Sequence, residues 1–217
     1  GLSPRVPWRD TAKLFAMGRD LFLRTGLLAL FLLLATRTAT QIGTDSGAAN
    51  TAIRQVWLFA AFLLDAYAAA AQSLVAWFLG TGSRVLARRV ATVACGWGLA
   101  SGFAVGALML LGENAVAALL VPATARGIFP GAWMLLALTQ PLNALSFVTD
   151  GIHWGARDYG YLRNAMFAAT ATGAALLGLA HSLVFVWAVT AIWVSIRAAF
   201  GVARIWPGVG RAPLRSG

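Results

Sequence analysis

The apolar positions of this chain fall into six long runs, separated by short breaks that carry arginine or glycine. A helix needs about 20 apolar residues to cross a hydrocarbon core of roughly 30 Å, and each run reaches about that length or exceeds it. The pattern predicts helices over about 11–40, 48–79, 86–111, 131–154, 161–179 and 183–205, with a linker at 1–10 and a basic tail at 207–217. The predicted fold class is therefore all-α, a polytopic membrane protein of six transmembrane helices.

The second run, Ala48 to Leu79, reads as the element around which the others are organised. Its 32 residues would span about 48 Å at 1.5 Å per residue, too long for an upright crossing, so tilt or projection into the cytoplasm is expected. At about 100° per residue, Asn50, Arg54, Asp65 and Gln72 share a sector of about 60°. A carboxylate at the centre of a membrane helix costs roughly 2.5 to 3.5 kcal/mol and normally faces a bundle interior or a wet cavity. This helix is expected to form a cavity wall.

The other runs add fewer polar groups. In the fourth, Gln140, Asn143 and Asp150 share a sector of about 80°, and Pro141 removes a backbone donor between them, the pattern of a kink beside a polar cavity. In the first, Arg24 lies within the membrane end of its helix. Two readings stay open there: an i, i+4 ion pair with Asp20 with the guanidinium reaching to the interface, or a place in the cavity. Gly98, Gly102 and Gly106 recur at four-residue spacing and predict a groove for close helix packing. The stretch Gly112 to Pro130 reads as an external loop with a short surface helix, and Gln41 to Gly47 as a short external turn. His181 falls in a tight turn, and His153 lies away from the polar side of its helix.

Composition agrees with the pattern. Of the 217 residues 59% are apolar and only 11% charged, against about 25% charged in soluble domains, and mean hydropathy is +0.75. The net charge of +10 is topological. Fourteen of the 17 basic residues belong to the N-terminal lead and first turns (Arg5, Arg9, Lys13, Arg19, Arg24), the second loop (Arg84, Arg88, Arg89), the fourth loop (Arg157, Arg163) and the C-terminal end (Arg197, Arg204, Arg211, Arg215). Arg37, Arg54 and Arg126 remain for the other side, so the positive-inside rule places both termini in the cytoplasm. Nucleic acid is not expected as a partner. Cys95 is the single cysteine and reads as a packing residue. The chain begins Gly-Leu-Ser-Pro, as a piece of a longer protein can.

Hydrolase and metal chemistry lack their motifs. There is no G-x-S-x-G, H-E-x-x-H or C-x-x-C, and no Rossmann or P-loop glycine pattern. No catalytic residue, metal site or cofactor is predicted. What remains is a few isolated ionisable groups in an apolar interior, the pattern of a secondary transporter or channel.

Two stretches carry a family resemblance. Gly18 to Gly82, GRDLFLRTGLLALF…TDSGAANTAIRQVWLFAAFLLDAYAAAAQSLVAWFLGTG, resembles the seventh and eighth helices of multidrug and toxic compound extrusion (MATE) transporters of the DinF-like branch. Gln140 to Met166, QPLNALSFVTDGIHWGARDYGYLRNAM, resembles their tenth and eleventh helices. The resemblance implies one six-helix lobe, the C-terminal one, of a two-lobe transporter, with the N-terminal lobe as its missing partner. It further implies export of amphipathic or cationic small molecules by alternating access, driven by a proton or sodium gradient. Arg24, Asn50, Asp65 and Asp150 match positions that the branch usually shares. Two departures stand out: the family's Asp-Gly-Phe is Asp65-Ala66-Tyr67, and Gln72 stands where a glutamate is common. The 16:1 ratio of arginine to lysine and the excess of alanine predict a GC-rich bacterial source and its inner membrane. Two alternatives are a lipid-linked precursor flippase of the same superfamily and a stand-alone six-helix scaffold or channel that dimerises through the Gly98, Gly102 and Gly106 face.

Overall fold

The computed structural model describes residues 8–210 and 212–214. Residues 1–7 of the predicted lead, with Arg5, and Arg211 and Arg215 of the tail lie outside the described residues. Helix α1 begins at Trp8, so the last residues assigned to a linker are helical.

Six long helices make the bundle: α1 (Trp8–Ile42), α2 (Thr44–Gly80), α3 (Arg84–Leu111), α5 (Phe129–Gly155), α6 (Tyr159–Leu177) and α7 (Leu183–Ile205). Between α3 and α5 lie the short helix α4 (Glu113–Leu120) and a 3-10 turn at Ala123–Ala125, as the broken apolar pattern of that stretch predicts. No strand occurs among the described residues. The protein is an all-α membrane bundle. Five of the long helices are long and apolar enough to cross a membrane; α6 is shorter and carries Arg163, Asn164 and two threonines.

The expected turn over Gln41 to Gly47 shrinks to one residue. Gly43 alone separates α1 from α2, and its extended φ of 162° and ψ of 161° reverses the chain with no loop. Helix α2 consequently has 37 residues, about 56 Å at 1.5 Å per residue.

The hub of the bundle is α5, not α2. It packs against α2, α3 and α7, while α1 packs mainly against α6. Half of the most apolar window of α5 is buried, against a third of that of α2. Phe59, Phe62 and Trp77 of α2 are exposed, which water would oppose and lipid or a further protein half accepts. Hydropathy cannot separate these cases, because in a membrane the lipid-facing side of a helix is as apolar as its packed side.

Small residues bring α3 onto α5. A Cβ on Gly102 would lie 2.7 Å from the Cα of Pro141, and one on Gly98 2.7 Å from Val148 Cγ2. Gly106 meets the carbonyl of Ala137, at 2.6 Å from an added Cβ, the acceptor that Pro141 leaves without its helical donor. All three glycines are buried inside the lobe. That overturns the proposed dimer contact, since the face is already filled by α5. Cys95, also buried, packs on the same side of α3 with Val148 and Ile152.

Candidate functional site

The polar residues gather at the end of the bundle that holds the start of α1, the α2–α3 turn, the α5–α6 turn and the end of α7. The centre of the group is Asp150 of α5. Its Oδ2 accepts a hydrogen bond from Nη2 of Arg24 on α1 and another, at 2.7 Å, from Nη2 of Arg197 on α7. Three helices are thereby tied through one carboxylate oxygen. The Arg24 guanidinium stands 5.3 Å from the Trp154 ring and that of Arg197 4.5 Å from the Trp193 ring, both in cation–π range.

Two guanidinium groups on one carboxylate leave an excess positive charge in a buried place. Arg197 is 3% exposed and Arg24 9%, and Arg24 Nε, Arg197 Nε and Arg197 Nη1 have no hydrogen-bond partner among the described residues. Next to them Arg24, Asp150, Trp154 and Phe147 line a cavity of about 120 Å³ with Asp65 and Gln72 of α2. Gly151 lets the two helices meet there, since a Cβ at that position would run into the backbone of Ala68. Asp65 is exposed on this lobe.

A second cluster lies below the first. Helix α5 ends in a Schellman-type cap: the N–H of Asp158 donates to the carbonyl of His153 at 2.9 Å and that of Arg157 to Trp154 at 3.0 Å. Arg157 takes the left-handed position, φ 57°, usually given to glycine. The turn delivers Asp158 to Arg204 of α7, whose Nε and Nη2 donate to its two oxygens at 2.8 and 3.1 Å. His153 Nδ1 stands 3.6 Å from Asp158 Oδ2, beyond hydrogen-bond range. Its Nε2 faces the carbonyl of Gly201 at 3.3 Å. Burial alone would raise the Asp158 carboxyl; His153 and Arg204 outweigh it and hold the group below the usual carboxylate range. A third pair joins α1 to α6, Asp20 accepting from Arg163 Nη1 at 2.7 Å.

These contacts decide between the readings of Arg24. Asp20 does not pair with it; Asp20 takes Arg163 and Arg19, and Arg24 reaches Asp150. The remaining sequence candidates lie elsewhere. Gln140 and Asn143 are buried and bond each other, Nδ2 of Asn143 to Oε1 of Gln140 at 3.4 Å, away from the cavity. The backbone of Gln140 takes part in the close α3 contact, its carbonyl lying 2.8 Å from an added Cβ on Gly102. Asn50 is buried near the far end of α2, about 22 Å from Asp65 at 1.5 Å per residue. Arg54, on the same stripe, donates to Thr36 Oγ1 at 3.0 Å.

Sequence reasoning missed Arg197, Arg204 and Asp158. Arg197 belongs by charge pattern to the basic end of the chain, yet it sits eight residues inside α7, and that depth is the available signal. His181 is exposed in the α6–α7 turn.

Six long helices with their ion pairs gathered toward one end define a polytopic membrane bundle. No family model matches the chain. It is 30% identical over 210 residues to Protein DETOXIFICATION 44, chloroplastic, of Arabidopsis thaliana, covering 96% of this chain and 37% of the relative. A MOP superfamily transporter from Pyrococcus furiosus has the same fold, at TM-score 0.82 and 15% identity over 90% of this chain and 45% of its own. So does an outward-facing MATE family multidrug resistance transporter, at TM-score 0.80 and 16% identity over 88% of this chain and 44% of its own. The chain belongs to the multidrug and toxic compound extrusion family, whose members are transporters and not enzymes. It spans less than half the length of these proteins.

Proposed function

We propose that the chain is the C-terminal lobe of a DinF-like secondary antiporter that exports amphipathic or cationic compounds in exchange for protons or sodium ions. In this reading it lies in a bacterial cytoplasmic membrane with both termini inside, and an N-terminal lobe of the same protein completes the cavity. Asp65 and Gln72 face the substrate path; Arg24 and Asp150 close its cytoplasmic side. Asn50, Gln140 and Asn143 support helix packing.

The observation that carries this reading is the placement of Asp65. It has no hydrogen bond or ion pair among the described residues, and it stands beside Gln72 and the Arg24–Asp150 pair on the open side of the lobe. Such a group is costly against lipid, so its partner is sought in a second lobe, in an ion or in a substrate. The test is Asp65→Asn in the complete protein, followed by efflux of a fluorescent cation such as ethidium under an imposed proton or sodium gradient. Efflux falls severalfold with membrane abundance unchanged. An unaltered rate makes Asp65 structural and removes the reading.

A further inference from the structure

Three arginines at the α2–α3 corner take no part in the clusters above. The chain turns through Thr81 to Ser83, with Gly82 at φ 81°, and α3 then opens with Arg84, Arg88 and Arg89. None of the three has a carboxylate partner among the described residues. Arg88 Nη2 donates to the Trp206 carbonyl at 3.2 Å, while Arg84 and Arg89 are exposed. Like charges four residues apart on a helix repel. The positive end of the helix dipole adds to them, and Ser83 makes no side-chain cap bond to the free N–H groups.

The three arginines border a cavity of about 1250 Å³ that also includes Ser83, Thr92 and Leu214. The returning tail forms its floor, with Leu214 2% exposed. An apolar groove of about 460 Å³ runs on from it between α2 and α3, walled by Leu74, Phe78, Val93 and Trp97. Arg89 lines both. The one hydroxyl at the far end of the groove is satisfied, Tyr67 accepting from Ser101 Oγ at 2.8 Å. At about 100° per residue, Tyr67, Ala70 and Leu74 lie roughly 140° to 200° around α2 from Asp65, so a lobe closing over Asp65 leaves the groove facing lipid.

We propose that this corner is a seat for one anionic phospholipid. Its phosphate lies among Arg84, Arg88, Arg89 and the first turn of α3, as anions do at helix N-termini, and one acyl chain lies in the groove from Phe78 toward Trp97. Charge complementarity selects the headgroup and the apolar groove selects a lipid over soluble phosphate.

The test titrates the complete protein in detergent with dioleoylphosphatidylglycerol and with dioleoylphosphatidylcholine, counting bound lipid by native mass spectrometry. Three basic groups near the headgroup give the glycerol lipid an advantage of about tenfold or more. Arg84→Gln with Arg89→Gln, which keeps the Arg88–Trp206 bond, brings the two lipids to parity. Val93→Trp, on an exposed position, fills the groove and weakens both. Equal binding of the two lipids to the unmodified protein overturns the proposal, leaving the arginines with the orientation of the chain alone. So does a preference that survives the double substitution, displacement of the lipid by sn-glycerol 3-phosphate at equal concentration, or indifference to Val93→Trp.

Discussion

Asp150 and Asp158 lie two turns apart on the chain and solve the same problem differently. Asp158 meets one arginine through both oxygens, the fork-to-fork pairing that satisfies carboxylate and guanidinium together. Asp150 meets two arginines through a single oxygen and leaves three of their donor atoms without partners. The first arrangement is a closed joint between the α5–α6 turn and α7. The second is an open one with surplus charge, and it adjoins the cavity with Asp65. A buried group left with unused hydrogen-bonding capacity is where a change of partner is least costly, which is why the transport reading gives Asp150 a place beside Asp65 and gives Asp158 none.

The comparison breaks most visibly at Asp150. Asp150→Asn strands two buried arginines, and loss of a buried partner costs about 3–5 kcal/mol; little folded protein is expected by fluorescence-detected size exclusion of detergent extracts. Adding Arg197→Met to that variant removes one stranded charge and recovers part of the loss. If the single variant is as stable as the parent, the carboxylate is not what holds α1 and α7 to α5.

Asp158→Asn should cost less, about 1–3 kcal/mol for charged hydrogen bonds, because the turn is nearer solvent and Arg204 keeps an acceptor. Its pH dependence follows from the sign of the shift. The folded carboxyl titrates below its unfolded value of about 4, so its contribution is fully present above that value and is lost as pH falls through the lowered one. Thermal melts of parent and variant should therefore differ by a constant amount from pH 6 to 8 and converge toward pH 3. A difference that grows as pH falls contradicts the assignment.

The smallest effect belongs to Arg157→Gly. Relief of the left-handed φ stabilises the turn by about 1 kcal/mol or less, offset in part by the greater freedom of the unfolded glycine. A melting temperature equal to or slightly above the parent's sharpens the view of the cap as a strained but local device. A marked loss means that the Arg157 side chain has a role of its own.

Much of the fold was legible in the chain because helix length and apolarity are local properties. The broken loop with its surface helix, the α3 glycine face and the exclusion of motif-based enzymes all came from residues close in sequence. The hub was not legible: α2 has the longer and more varied apolar run, but α5 has the contacts. The candidate site was legible by halves. Asp65, Gln72, Arg24 and Asp150 do line one cavity, whereas Gln140, Asn143 and Asn50 share their helical faces without reaching it, since a shared angle says nothing about height along the membrane.

The sequence by itself determined that the chain is a helical membrane protein, where its helices break, and which end carries the positive charge. Hydrophobic length and charge position decide those matters segment by segment. Only the tertiary structure decided which charges meet. Arg24 is separated from Asp150 by 126 residues and Arg204 from Asp158 by 46. A local pairing of Arg24 with Asp20 satisfies the same electrostatics on paper. The choice between them depends on how closely the helices approach: Gly201 of α7 packs against Thr149 of α5, and Gly173 of α6 against Phe31 of α1.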